Sequence, residues 1–301
     1  MTRRKLLVTG ANGFVAGSIL AQADNQWEVH AVSRSSAPTL SQSIRWHTFD
    51  ILQTGVSEKM FLEIKPHIII HTAAAADIDF CQSNPTLARA VNVDMTRKLA
   101  GLCASAKTRL VLCSTDTIFD GEHAPYDEDH APGPVNIYAE TKVEAEQIVS
   151  GLGPQGIIAR LALVMGLPLM GKGNSFLARL IDSWNAGKIV GAAEHEIRTP
   201  VDVITVGKAL LELADGTHQG IFHLAGLSRV NRLELNRIIA ARFGFPSHLT
   251  VAQPAAPGRA PRPRDVSLST GKTGSELKTP MRTIEEGLSL ILDRRHAAKA
   301  E

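Results

Sequence analysis

Lys5-Leu6-Leu7-Val8-Thr9-Gly10-Ala11-Asn12-Gly13-Phe14-Val15 is the stretch that decides the fold. An apolar run, a turn with two glycines and the start of a helical stretch read as strand, phosphate-binding turn and helix. In such a turn, backbone N–H groups and a helix N-terminus can approach a pyrophosphate. Gly10 and Gly13 have the spacing this needs, Asn12 can brace the turn through its side chain, and Phe14 and Val15, which open the helix, are expected to bind the cofactor with them. The third small position falls on Ala16, with Gly17 next.

Downstream, short apolar runs alternate with helical patterns. Strands are expected at 5–9, 28–33, 44–47, 67–71, 109–114 and 157–161, and helices at 13–23, 57–64, 85–106 and 136–150. Several runs are nearly continuous in Val, Ile and Leu, as parallel strands covered on both faces require. The alternation predicts an α/β fold, a Rossmann-type doubly wound parallel sheet. The pattern loosens after Met165. Gly171-Lys172-Gly173-Asn174 starts a helix to about residue 187, and Ile221-Phe222-His223-Leu224 reads as a strand returning to the sheet. Residues 253–264 are rich in Pro, Ala and Arg and read as an irregular surface stretch. A last helix at 283–293 carries Ile284, Leu288 and Ile291 or Leu292 on one face. The expected division is a dinucleotide-binding domain over 1–164, completed by the strand near 220–225, and a smaller, discontinuous substrate lobe over 165–301.

A chain of 301 residues, 44% hydrophobic and 21% charged, suits one large globular domain or two intimate ones. The formal net charge of +2 gives no bulk electrostatic case for nucleic acid or a membrane surface. The basic Met1-Thr2-Arg3-Arg4-Lys5 precedes only a strand's length of apolar residues, too short for a signal peptide, so a cytoplasmic protein is expected. Cys81, Cys103 and Cys113 show no paired or metal-like spacing and read as reduced structural thiols. The histidines show no ligand spacing either, so no metal is assigned.

The remaining candidates sit at expected strand ends. Where an NAD-preferring fold carries an acid after its second strand, this chain has Ser33-Arg34-Ser35-Ser36. A guanidinium with neighbouring hydroxyls suits a ribose 2′-phosphate, which points to NADPH. Asp50 and Ile51 can flank the adenine. The small run after His71, including Ala73 and Ala74, lets backbone approach a ribose or pyrophosphate. Ser114-Thr115-Asp116-Thr117 ends the fifth strand, where a hydroxyl can hold a substrate carbonyl oxygen. Tyr138 and Lys142 stand at i and i+4, on one helix face. A nearby ammonium favours the phenolate and would let the tyrosine exchange protons near neutral pH. Asp116, Arg198 and Arg262 are the candidate substrate-binding residues, the last within the basic run Arg259-Ala260-Pro261-Arg262-Pro263-Arg264.

These residues resemble the extended short-chain dehydrogenase/reductases, and within them the dTDP-4-dehydrorhamnose reductase family. The resemblance covers nearly the whole chain and rests on residues 114–121 (STDTIFDG), 125–128 (PYDE), 136–142 (NIYAETK) and 262–269 with Lys272. It implies a triad of Thr115, Tyr138 and Lys142 acting with NADPH. Hydride would go to the C4 ketone of a nucleotide-linked deoxysugar, with Tyr138 protonating the oxygen and Lys142 also holding the nicotinamide ribose. It also implies a homodimer packed through the helices at 85–106 and 136–150, although Ala88, Val91, Met95, Leu99 and Leu102 could equally serve the sheet. The chain departs from the family pattern at Ala16, Ala75-Ala76, Gln82 and Thr117. These changes cluster where substrate should lie. Sugar-nucleotide dehydratases carry Asp-Glu after the threonine, against Asp116-Thr117 here, and NAD-retaining epimerases fit poorly with Ser33-Arg34. The regulatory subunit of methionine adenosyltransferase resembles the same reductases, so a non-catalytic, cofactor-binding role is the alternative from another class.

Overall fold

Runs of Val, Ile and Leu that alternate in facing direction build the centre of the molecule. In the computed structural model they form seven strands: β1 (Arg4–Thr9), β2 (Trp27–Ser33), β3 (Ile44–Thr48), β4 (Ile68–His71), β5 (Arg109–Thr115), β6 (Gly156–Leu161) and β7 (Gly220–Leu224). All pair in parallel, in the order β7-β6-β5-β4-β1-β2-β3. The order reverses between β1 and β4, which is where doubly wound sheets open a crevice at their carboxyl edge. The structure describes residues 3–36, 43–171, 173–254 and 258–300. Met1 and Thr2 of the basic N-terminus, Lys172 of the 171–174 run and residues 255–257 of the Pro-Ala-Arg stretch therefore lie outside the described residues.

The period-2 pleat divides each strand between two cores. Leu6, Val8, Ile68 and Ile70 face one layer, where helices Phe14–Gln22 and Val203–Asp215 pack through Ile19, Leu20, Val206 and Leu210. Leu7, Ile69, Leu110 and Leu112 face the other, against Met60, Phe61, Met95, Leu99 and Val149. A third core gathers Met165, Leu177, Trp184, Leu235, Ile239 and Leu288 beyond the sheet. This lobe is assembled from chain on both sides of β7.

Three differences from the sequence expectation have physical reasons. The helix expected over 85–106 is interrupted: a π-helical segment, Ala90–Asp94, separates Pro85–Arg89 from Met95–Ala106. Asn92, at the centre of that segment, is buried and spends its side chain on Ala75 and Thr141. The helix expected from residue 171 begins only at Phe176, capped by Ser175, because Gly171 and Gly173 adopt left-handed backbone angles. Helices Ile78–Ser83, Val203–Asp215 and Arg232–Arg242 were not expected, yet Asp77, Asp202 and Asn231 cap their N-termini. The apolar stripe offered for a dimer is used within the chain: Ala88, Met95 and Leu99 are fully buried, while Val91 and Leu102 are half-buried. Among the described residues no helix is long and apolar enough to cross a membrane.

Helix Ile137–Ser150 is fixed to β6 by a buried ion pair. Arg160 Nε and Nη2 donate to the Glu146 carboxylate at 3.2 and 2.9 Å, and the guanidinium also lies over the Phe119 ring. Removing one partner of such a pair strands the other charge in the interior. Glu146→Ala is therefore expected to destabilise the protein by about 3–5 kcal/mol in chemical denaturation, with the tyrosine fluorescence environment of the same helix perturbed.

Candidate active site

The glycine turn runs against the exit of β4. Gly10 has φ +68°, and a Cβ there would come within 2.7 Å of the Ala73 Cα and N. A Cβ at Gly13 would lie 2.9 Å from the Gly10 carbonyl oxygen. Gly17 serves a different contact, since its Cβ would meet Met170 O at 3.0 Å. Ala16, at the third small position, is buried in the sheet core. Thr72 Oγ1 donates to Thr9 O at 2.7 Å and Thr9 Oγ1 lies 2.7 Å from His71 Nδ1, so β1 and β4 are also tied by side chains. Burial, with the Lys142 charge adding to it, pushes His71 down to about 3, so the imidazole is neutral.

A cavity of about 430 Å³ opens over this turn. Gly10, Asn12 and Gly13 form one side, Ser33 and Arg34 the second, Asp50 and Ile51 the third, and Ala73 and Ala74 the floor. Asn12 braces more than its own turn: Nδ2 donates to Ser33 Oγ at 3.1 Å and Ser35 Oγ at 2.6 Å, linking the glycine turn to the end of β2. Asp50 Oδ1 accepts the Leu52 N–H at 3.0 Å and so orders its own turn at the cavity edge. Phe14 and Val15 are not among the cavity-lining residues; Phe14 packs under Gly166 and Gly173, and Val15 packs against the core. The left-handed Gly10, the bare approach to Ala73 and the exposed Arg34 at the far rim fit a dinucleotide with a 2′-phosphate.

Beyond the cavity, the end of β5 and helix Ile137–Ser150 converge. Thr115 Oγ1 lies 3.0 Å from Thr117 Oγ1, accepts the Thr117 N–H at 3.2 Å and donates to Asp116 Oδ1 at 3.2 Å. Lys142 is buried, and its Nζ donates to Cys113 O at 2.7 Å. Burial lowers its affinity for the proton, opposed by the nearby Cys113 and Glu146. Tyr138 is half-buried in the same region. Burial raises its phenol above the ordinary tyrosine range, opposed by a hydrogen bond with Thr115 and reinforced by Asp116. This direction is opposite to the one the Tyr138–Lys142 spacing predicts, because desolvation favours the neutral phenol.

Asp116 is the most strained electrostatic element. It is buried, Oδ2 has no hydrogen-bond partner among the described residues, and Arg198 Nε stands off at 3.9 Å. Burial raises its carboxyl to about 6, against the pull of Arg198. Arg198 is itself held by main-chain carbonyls, with Nη1 donating to Ile197 O at 2.7 Å. Arg262 goes elsewhere: Nη2 donates to Asp79 Oδ2 at 2.9 Å and Nη1 to Ala260 O at 2.7 Å. Asn92 was not singled out in the sequence, and no bonding role was assigned there to Asp79, Gln82 or Asn136. Gln82 Oε1 accepts the Ile137 N–H at 3.2 Å, and Asn136 caps Ala139 N at 2.9 Å while donating to Pro261 O at 3.0 Å. Asn136, the first residue of the expected helix and its N-cap in the structure, was a legible capping signal; the reach of Asp79 to Ala260 and Arg262, more than 180 positions on, was not.

A carboxyl raised from about 3.8 to about 6 favours its protonated form in the fold, so its contribution is greatest below pH 4 and is lost as pH rises through 6. Asp116→Asn should therefore stabilise the protein at pH 7.5, by at most ~3 kcal/mol, and the gain should shrink towards pH 4. Melting temperatures of both proteins at the two pH values measure this.

Residues 4–297 match the sequence profile of the RmlD substrate binding domain. Methionine adenosyltransferase 2 subunit beta of Xenopus tropicalis is 29% identical over 97% of this chain and 90% of its own. The probable low-salt glycan biosynthesis reductase Agl14 of Haloferax volcanii is 30% identical over 94% of this chain and 96% of its own. Among solved structures, dTDP-4-dehydrorhamnose reductase from Bacillus anthracis, in complex with NADP, superposes with a TM-score of 0.84 at 23% identity, covering 97% of this chain and all of that one. The resemblance carried by residues 114–142 is thereby borne out, and the chain belongs to the RmlD substrate binding domain family, that of the dTDP-4-dehydrorhamnose reductases.

Proposed function

We infer that the protein is an NADPH-dependent reductase of a ketone on a nucleotide-activated deoxysugar. The observation that carries this reading is a protonated phenol, a strand-end hydroxyl and a buried ammonium gathered beside a glycine-cradled cavity at the carboxyl edge of the sheet. The NADP bound to the Bacillus anthracis reductase and the reductase name of the Haloferax volcanii relative support the cofactor and the reaction class.

When bound, NADPH supplies the hydride. Gly10 and Gly13 would admit its pyrophosphate, Arg34 and Ser33 its 2′-phosphate, Asp50 and Ile51 its adenine end, and Ala73 and Ala74 its ribose. Thr115 Oγ1 holds the ketone oxygen against Tyr138. Tyr138 Oη gives its proton to that oxygen as negative charge develops, the direction a neutral phenol favours. Lys142 then faces a tyrosinate, and its ammonium stabilises that charge in a site poor in water. Asp116 and Arg198 contact the sugar or its diphosphate. Where the family commonly has tyrosine this chain has Thr117, buried and bonded to Thr115, so the sugar meets a different side chain there.

Tyr138→Phe should lower kcat by about 10²–10⁴-fold while NADPH binding, read by fluorescence titration, stays within a factor of two. Full activity in that variant overturns the mechanism. Arg34→Ala should raise the KM for NADPH by roughly 10–100-fold and leave that for NADH nearly unchanged, the loss of one charge-assisted contact. The similarity to a methionine adenosyltransferase subunit sets the rival outcome. Wild-type protein that reduces no 4-keto sugar nucleotide, yet co-purifies in fixed proportion with a partner enzyme, would be a regulatory subunit.

A further inference from the structure

The segment from Arg259 to Asp265 crosses the carboxyl edge of the sheet and is pinned along its length. Near its start, one carboxylate does most of the holding. Asp79 Oδ1 accepts the Ala260 N–H at 2.8 Å, Asp79 Oδ2 accepts from Arg262 Nη2 at 2.9 Å, and Arg259 Nε lies 3.9 Å from the same oxygen. Midway, Asn136 donates to Pro261 O, two residues before Tyr138. Further on, Arg264 passes so close to Gly121 that a Cβ there would meet its amide nitrogen at 2.6 Å. At the far end Ile197 N–H is accepted by Arg264 O at 2.8 Å, beside the Arg198 that faces Asp116.

Asp79 belongs to helix Ile78–Ser83, which follows directly on the cofactor-side run 72–77. The next turn of that helix supplies Gln82, bonded to the first residue of the helix that carries Tyr138. One short helix thus touches the cofactor wall, the catalytic helix and the basic segment. The charges are also unequal. Arg259 and Arg262 share Asp79 with each other, and Glu196, 3.8 Å from Arg259 Nη1, is the other acid in reach. Asp79 and Arg259 are part exposed, so an anion arriving from solvent can reach the Arg259 guanidinium, with Arg262, 13% exposed, directly behind it on the same carboxylate.

We propose that Asp79 is a positioning residue that holds Arg259 and Arg262 across the mouth of the site for the diphosphate of the substrate. This rests on the reductase reading above and adds to it the residue that sets affinity for the phosphate end. Two guanidiniums presented side by side suit two adjacent phosphates, each of which accepts forked hydrogen bonds. A carboxylate on a separate helix fixes their direction, and it occupies only one of the five N–H donors of the Arg262 guanidinium, with Ala260 O taking a second. The Asp79 side chain does not touch the ketone, so its removal should be felt in binding and not in the proton transfer.

The test uses the full chain with NADPH present and titrates dTDP, UDP and GDP by calorimetry. Wild type is expected to bind at least one of them, and Asp79→Asn should weaken that binding about 10-fold. Asp79→Glu should restore it to within about threefold, and NADPH affinity should be unchanged in both variants. With a 4-keto sugar nucleotide, Asp79→Asn should raise KM by the same factor and leave kcat within twofold. Faster hydrogen exchange at the Ala260 amide in Asp79→Asn would accompany the loss. Unchanged or tighter diphosphate binding in Asp79→Asn, with wild type binding, overturns the proposal and leaves the reductase reading standing. Wild type binding none of the three diphosphates overturns both.

Discussion

Residue 10 can have no side chain, and much of the site follows from that single exclusion. With φ at +68° and the Ala73 backbone 2.7 Å from where a Cβ would stand, only glycine lets the first turn press against the end of β4. That contact brings the two strands flanking the order reversal into register at their carboxyl ends, where Thr9, His71 and Thr72 then bond across. The cavity floor is therefore largely main chain, and the turn holds its own shape, with the Ala11 N–H donating to Val32 O at 3.0 Å and the Gly13 N–H to Gly10 O at 2.7 Å. Asn12 extends the same brace to β2, so that Ser33 and Arg34 are carried at a fixed distance from the turn.

The second constraint is desolvation. Tyr138, Lys142 and Asp116 are ionisable groups brought out of water, and in each the burial effect is the largest one acting. Phenol and carboxyl are pushed towards their neutral forms and the ammonium towards losing its proton. The ammonium is compensated by Cys113 O, the phenol by Thr115, and the carboxylate by little. In a site so arranged, charge that appears on a reacting oxygen finds donors already aimed and little water to reorganise.

How much of this could be read from the chain depended on the range of the interaction. The strand–turn–helix at 5–15, the alternation of apolar runs and the returning strand at 221–224 are local patterns, and the doubly wound parallel sheet followed from them. The meeting of Thr115, Tyr138 and Lys142 was legible because Tyr138 and Lys142 share a helix face and Thr115 ends a strand. Asn92 was not, since a π-helical turn looks in sequence like the helix that contains it. Arg262 was legible as a basic residue near the substrate but not as the partner of Asp79, because nothing in sequence joins residues 183 positions apart. For Tyr138 the spacing gives the neighbouring charge, whereas burial, which acts in the opposite direction, depends on the whole fold.

The electrostatics also bear on whether the chain is an enzyme or a binding subunit. A subunit that only needs the fold gains nothing from an unsatisfied carboxylate oxygen beside a buried phenol and a buried ammonium. Apolar residues of the same volume at 116, 138 and 142 would pack the same helix against β5 with no desolvation penalty. The chain instead keeps Asp116 Oδ2 unpaired and Ser114 Oγ without a partner among the described residues, both adjoining Thr115. Unsatisfied polar atoms that neighbour one another at a strand end are what a site for a polar reacting group requires. The stability given up there is intelligible if those groups are completed by substrate, and that is the stronger reason to read the chain as a reductase.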